Sequence, residues 1–324
     1  MTRTRSIALI GSFALALTAC GGATDSDTGG GAGETIEVTD NNGAQEVTAS
    51  PKSVVATDNR TFETLSDWDV ELTAGAVTLM PDTVDYTEDE DIVDLGSHRE
   101  PNLEAVVEVE PDLIINGQRF TQFEDKFTEL APDASILSLD PREGEPLDDE
   151  LKRQTDVLGQ VFDKEDEATQ LGDDLDASVE RVKKAYEPGD TVMAINTSGG
   201  ELGYLAPTVG RTLGPVFDMF DLEPALEVEG AGDGETGDEV SVEAIAKSDP
   251  DWILVMDRDA AVGADEEGYT PAQKLLEDSE ALEDVTAVKE GNLVFMPEDT
   301  YTNEGIQTYT EFFNSFADAL EGTS

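Results

Sequence analysis

Short apolar runs alternate along the chain with stretches whose apolar positions recur every three or four residues. Val54-Val55-Ala56 reads as a strand and is followed by a short helix from Phe62 to Trp68. Leu113-Ile114-Ile115 is a second strand, with a helix predicted from Phe120 to Leu130, and Ile136-Leu137-Ser138-Leu139 closes this first set. A second set starts at Thr191-Val192-Met193-Ala194-Ile195 and continues with Trp252 to Met256 and Asn292 to Met296. Strands that alternate with helices predict mostly parallel sheets flanked by helices. Between the two sets, Leu171, Leu175, Val179 and Val182 fall on one helix face, and Pro188-Gly189 ends that helix. The pattern therefore predicts an α/β chain of two lobes. Residues 36–162 form the first, a connecting helix at 163–187 joins them, and residues 188–324 form the second, with a ligand cleft between.

The beginning of the chain has a different pattern. Arg3 and Arg5 precede an apolar run from Ile7 to Leu17, which is too short to span a bilayer and reads as an export signal. The run ends in Leu17-Thr18-Ala19-Cys20, which resembles the lipobox of bacterial lipoproteins. That resemblance implies a signal peptide at 1–19, a lipidated Cys20 and attachment to the outer face of the cell membrane. Residues 20–35 are Gly-rich and read as a flexible tether.

An internal repeat links the two lobes. Leu103-Glu104-Ala105-Val106 leads to Glu110-Pro111-Asp112-Leu113-Ile114-Ile115, and Val242-Glu243-Ala244-Ile245 leads to Asp249-Pro250-Asp251-Trp252-Ile253-Leu254. The copies align without a gap as helix, turn and buried strand, the proline presetting the turn. At the same offset Arg119 falls on Arg258, so each arginine follows a parallel strand near its carboxyl end. Ligands of open α/β sheets bind at that edge. Facing lobes would bring both arginines into one cleft.

Composition narrows the function. Nineteen Lys and Arg stand against 74 Asp and Glu, for a net charge of −55. Such a surface repels phosphate backbones and excludes nucleic acid as a partner. One Cys rules out an internal disulfide, and one His rules out a multi-histidine metal centre. The acidic run Asp85 to Asp94 lacks the spacing of an EF-hand, and so does Asp233 to Asp238. Ser198-Gly199-Gly200 lacks the Lys of a phosphate loop.

The layout resembles the substrate-binding lipoproteins of bacterial ABC importers whose two lobes are joined by one rigid helix. Within them it is most similar to the binders of catecholate-type ferric siderophores. The resemblance rests on Leu95-Gly96-Ser97 through Pro101, Pro111 through Arg119, Gly210-Arg211, and Met256-Asp257-Arg258 through Gly263. It implies a non-enzymatic, monomeric protein that captures an anionic ferric siderophore and hands it to an ABC permease. It also implies three cleft arginines facing the iron–catecholate centre, which fall on Arg119, Arg211 and Arg258. Arg60, just after the first strand, is a candidate fourth. Tyr301 matches a tyrosine that in some members ligates iron, and its alternative is a surface loop aromatic. The histidine that accompanies it there would fall near Thr236-Gly237-Asp238, where this chain has none; His98 lies in another loop. That departure favours a hexadentate cargo that needs no metal donor from the protein. Glu104 and Glu243, one per lobe, match acidic residues that dock on the permease, although acids favour helix N-termini in any case. Haem, a cobalamin or a hydroxamate siderophore are the alternative cargoes, and an extracytoplasmic hydrolase is a remote alternative function.

The excess of acid is tolerable where salt screens it. Thermal unfolding is expected to shift to higher temperature as salt is raised, and a midpoint indifferent to salt would count against adaptation to a saline medium.

Overall fold

In the computed structural model, residues 35–322 are described. The export leader, Cys20 and nearly all of the Gly-rich tether lie outside them. Among the described residues no helix is long and apolar enough to cross a membrane.

Two sheets organise the chain. The first is parallel throughout, in the order Val93–Asp94, Ala74–Gly75, Val54–Ala56, Leu113–Asn116 and Ser135–Ser138. Its central strands are short and covered on both faces. Every residue of Val54–Ala56 and Leu113–Asn116 is buried, as a parallel strand between helical layers requires. The second sheet runs Asp238–Glu239, Glu201–Leu205, Thr191–Ser198, Trp252–Asp257 and Leu293–Phe295, and Glu223–Pro224 also pairs with Thr191–Ser198. It is parallel on one side only. Thr191–Ser198 turns back on Glu201–Leu205 as an antiparallel hairpin. Gly199 and Gly200 both have positive φ there, which is the backbone a tight two-residue hairpin needs. An antiparallel hairpin, Thr35–Asp40 with Gly43–Thr48, precedes the first sheet.

The repeat is structural in detail. Asn102 caps the helix Leu103–Val109 by accepting from the Ala105 amide, and Ser241 caps Val242–Ser248 by accepting from the Ala244 amide. Both helices end on a left-handed residue, Glu110 with φ 44° and Asp249 with φ 47°. Asp112 then accepts from the Lys52 and Ser53 amides at 2.8 and 3.1 Å. Asp251 likewise accepts from the Thr191 amide at 2.8 Å and its hydroxyl at 2.9 Å. Each aspartate therefore ties the entrance of its own strand to the entrance of the neighbouring one. The charge stays at the sheet rim, where the backbone amides it accepts from compensate its desolvation.

Two long helices, rather than one, reach a hydrophobic core on each sheet, while a third core lies against the second sheet alone. Glu165–Ala185 places Ala168 in the core of the first sheet and Leu175, Val179 and Val182 in that of the second. Leu147–Phe162 does the same in the opposite order, with Leu147 and Leu151 in the second core and Val157, Leu158 and Val161 in the first. The helix expected from Phe120 to Leu130 is divided. A 3₁₀ segment, Gln118–Phe123, precedes Glu124–Leu130, because the chain must turn sharply where the strand ends.

The second core is aromatic. Helix Ile306–Leu320 buries Phe312, Phe313 and Phe316 against Phe220 and Trp252, and Phe313 meets Phe220 edge to face at 5.0 Å. Truncating Phe313 to Ala should cost about 3–5 kcal/mol. Urea unfolding of the variant measures this, and a loss below about 1 kcal/mol would mean that the site collapses around the gap.

Candidate ligand-binding cleft

The arginines at the ends of the repeated strands are delivered by local devices that the sequence encodes. After Leu113–Asn116 the chain passes Gly117, where a Cβ would overlap the Asp58 carboxylate, so only glycine lets the strand end pack there. Asp140 accepts from the Gln118 amide at 2.8 Å and fixes the turn that carries Arg119. After Trp252–Asp257, Asp257 caps the helix Arg258–Gly263 and also accepts from the Thr197 hydroxyl at 2.7 Å and the Ala272 amide at 2.8 Å. Arg258 is thus the first residue of a helix whose start is fixed from three sides. Arg211 sits on a tight loop in which the Gly210 amide donates to the Ala206 carbonyl and the Gly214 amide donates to the Gly210 carbonyl. A Cβ on Gly210 would press on the Ala206 backbone.

These three arginines converge on one ring. The guanidinium carbons of Arg119, Arg211 and Arg258 lie 5.3, 4.2 and 4.7 Å from the centroid of Tyr301. Tyr301 is not a surface aromatic. It lies in the 3₁₀ turn Thr300–Thr302 and is 4% exposed. Arg119 donates to its hydroxyl at 2.9 Å, and Arg211 donates to its backbone carbonyl at 3.2 Å. A ring face carries partial negative charge, so each cation gains about 0.5–2 kcal/mol from the contact. The ring also separates cations that would otherwise repel.

Each arginine has a carboxylate, and the three pairs differ in burial. Arg211 Nε meets Glu304 at 3.0 Å, with the Glu304 side chain 2% exposed. Arg258 lies 3.6 Å from Asp259, whose side chain is 18% exposed, and the buried Nε of Arg258 has no partner. Arg119 Nε meets Glu235 at 3.0 Å, and Glu235 is half exposed. Burial would raise the Glu235 pKa, but Arg119 outweighs it and holds the carboxyl below its ordinary value. His98 belongs to the same neighbourhood. Its pKa is pushed down by burial and then by Arg119, with Glu235 opposing, so the ring stays neutral at pH 7.

Arg60 is not brought to the tyrosine. It lies 3.1 Å from Asp140, 3.8 Å from Glu304 and 3.9 Å from Asp58, enclosed by carboxylates. In place of a free fourth cation the structure has a buried ionic network, and its centre is Glu304. That carboxylate also accepts from the Thr212 hydroxyl at 2.6 Å and from the Gln118 amide nitrogen at 2.6 Å. Burial alone would raise its pKa, but Arg211 and then Arg60 outweigh burial and bring it down to about 2. Asp58 moves the other way, up to about 7, through burial and the nearby Asp140, with Arg60 opposing.

Arg119 and Tyr301 line a cavity of about 420 Å³, together with Thr57, Asn59, Met80 and Val262. Asn59 is 6% exposed, and neither Oδ1 nor Nδ2 of its side chain has a partner. A buried amide with both ends open is costly unless something else satisfies it. Arg258 lines an adjoining cavity that shares Val262, Gly263 and Glu266 with the first. Asn59, Glu235 and Glu304 were missed from sequence. Asn59 alone had a signal, since it follows the first strand at the same carboxyl edge as Arg119. Glu104 and Glu243 sit in the first turns of the two repeated helices and are exposed.

Glu304→Gln leaves Arg211 and Arg60 short of a buried counter-charge and should cost about 3–5 kcal/mol near neutral pH. A carboxyl with a lowered folded-state pKa contributes above its unfolded value and loses that contribution as pH falls. The stability gap between the two proteins should therefore narrow from about pH 4.5 towards about pH 2. Urea unfolding across that range checks it, and a gap independent of pH would overturn the assignment.

Comparison with known proteins bears on the family and the fold. The periplasmic binding protein family matches residues 54–300. The petrobactin-binding protein YclQ of Bacillus subtilis is 28% identical over 318 residues, covering 95% of this chain and 96% of its own. Its crystal structure superposes with a TM-score of 0.74 over 89% of this chain and 99% of that one, at 25% identity. The ferric-anguibactin-binding protein FatB of Vibrio anguillarum is 24% identical over 270 residues, 82% of this chain and 81% of its own. The catecholate-siderophore-binding protein VctP of Vibrio cholerae, at 21% identity, shares the fold with a TM-score of 0.74 over 89% of this chain and all of that one. With the family match spanning most of its length and taking in both sheets and the three arginines, the chain belongs to the periplasmic binding protein family.

Proposed function

We propose that the protein captures an anionic ferric siderophore of catecholate type outside the cytoplasm and delivers it to an ABC permease. The observation that carries this reading is the convergence of three guanidiniums on Tyr301. A tris-catecholate ferric centre carries about three negative charges on flat rings. Arginine suits it, because a planar fork donates in fixed directions and stacks on aromatic faces. One Arg about 5 Å from one charge contributes roughly 3 kcal/mol at an effective dielectric of 20. The acid elsewhere on the chain is screened beyond about 8 Å at physiological salt. Local cations therefore prevail over the global field.

The pairs at the site set the order of events. Glu235 is half exposed and holds Arg119 from the solvent side, so an incoming anion displaces it at small cost. Glu304 stays, because its pair with Arg211 is buried. The relatives named for ferric siderophore cargo support the class of ligand. Haem, cobalamins and hydroxamates concentrate less negative charge and leave three converging arginines without a purpose. Tyr301 keeps its hydroxyl on Arg119, and the loop at 236–238 has no histidine, so the cargo brings all six iron donors itself. The protein binds and releases its cargo and performs no chemistry on it. It acts as a monomer, tethered by a lipidated Cys20, and Glu104 and Glu243 offer the exposed acids that dock on the permease.

Titration of the full chain in detergent with a ferric tris-catecholate and a ferric hydroxamate, read by tryptophan quenching, tests the reading. The catecholate should bind tightly, and the Arg119→Ala, Arg258→Ala double variant should lose about 100-fold or more, roughly 2.7 kcal/mol. Tight binding of the hydroxamate alone would overturn the charge argument.

A further inference from the structure

Beside the arginine cavity lies a second one of opposite sign. It has a volume of about 730 Å³ and shares Asp82, Ala260, Ala261 and Ala264 with the first. Its walls come from both halves of the molecule. Glu63 and Asp67 lie on the helix Phe62–Asp67, Asp82 and Asp85 on the segment that follows the first sheet's second strand, Asp299 ahead of the C-terminal helix and Glu311 on it. About half of its lining residues are Asp or Glu, against under a quarter of the chain, and none is Lys, Arg or His. General acidity does not account for that segregation.

Two further side chains on this wall are buried and incomplete. Asn303 is 3% exposed; its Nδ2 donates to Glu63 at 2.8 Å and to Asp299 at 3.2 Å, while its Oδ1 has no partner. Thr308, also 3% exposed, has an unpartnered Oγ1. Buried polar atoms of this kind are ordinarily satisfied, and together with the carboxylates they ask for a donor that carries positive charge. The carboxylates also repel one another. Glu63 titrates above its ordinary range because of burial and then Asp67, Asp299 and Glu311, against the Asn303 hydrogen bond.

A bare metal ion does not fit the arrangement. Among the described residues no group of three or more His, Cys, Asp or Glu is placed to hold one. The acids are spread around a wide cavity, which suits an extended chain with N–H donors along it.

We propose that this cavity takes a protonated alkylamine arm of the same cargo. The ligand is then of mixed charge, with an anionic iron–catecholate head on the arginines and an ammonium arm among Glu63, Asp67, Asp299 and Asn303. The inference rests on the siderophore reading of the arginine site and specifies its ligand class further. Opposite charges held side by side would also favour amine-bearing catecholates over plain ones, which keep the arginine contacts alone.

The test compares two ferric catecholamide complexes that differ only at the arm, one with a free aminopropyl group and one with that amine acetylated. Both are titrated against the full chain in detergent, and against Glu63→Gln, Asp67→Asn. The free amine should bind at least tenfold more tightly to the unaltered chain. The double variant should abolish that advantage and leave the acetylated complex where it was. Equal affinities on the unaltered chain would overturn the arm site and leave the arginine site standing. A variant that weakens both complexes alike would also overturn it. If neither complex binds the unaltered chain, the siderophore reading itself fails and the arm site fails with it.

Discussion

The cleft depends on one buried carboxylate. Glu304 comes from the second half of the chain, between the last strand and the C-terminal helix, and accepts from Arg211 and Thr212 of that half. It also accepts from Gln118 of the first half and faces Arg60. Left alone, a carboxylate at this depth would take up a proton. Two guanidiniums prevent that, and the charge they keep in place holds Arg211 against the Tyr301 ring. The ring in turn is the surface on which Arg119 and Arg258 rest. The arginine cluster is therefore built outward from an ion pair that the solvent hardly reaches.

A chain with so few cations assembles a positive site by grading its counter-charges. Glu304 is buried and permanent, Asp259 partly covered, and Glu235 half exposed. Burial makes the first pair structural, because removing one partner strands the other. Exposure makes the last exchangeable, since water and salt replace it at little cost. Within one cleft the same residue pairing thus serves two ends. The acidic cavity beside the arginines extends this economy of charge, since no Lys, Arg or His lines it among the described residues.

A pair of helices, not one, connects the two sheets. Leu147–Phe162 and Glu165–Ala185 each contribute to a core on each sheet, so the two sheets are joined by packed side chains as well as by the chain itself. The periodic stripe of the second helix was plain in the sequence. The first escaped notice because its apolar positions switch core half-way along, and its acidic first turn masks the pattern. The Ser198-Gly199-Gly200 stretch, rejected as a phosphate loop, proved to be the turn of a hairpin that makes the second sheet only partly parallel.

Local chemistry determined a good deal. Strand runs, helix stripes and the repeat are written in neighbouring residues, and the repeat's caps, left-handed turns and rim aspartates recur at the same offset in the structure. Because strand and following loop are contiguous, the sequence alone placed Arg119 and Arg258 each at the carboxyl edge of its own sheet. Tertiary structure decided the rest. That Glu304 meets Gln118 across 186 residues, that Arg60 is enclosed by acids while Arg119 is not, and that Asn59 is left unpartnered are consequences of how the two halves close. Backbone preferences act over a few residues, whereas the partner of a buried charge is chosen by whichever distant side chain the packed cores bring within reach.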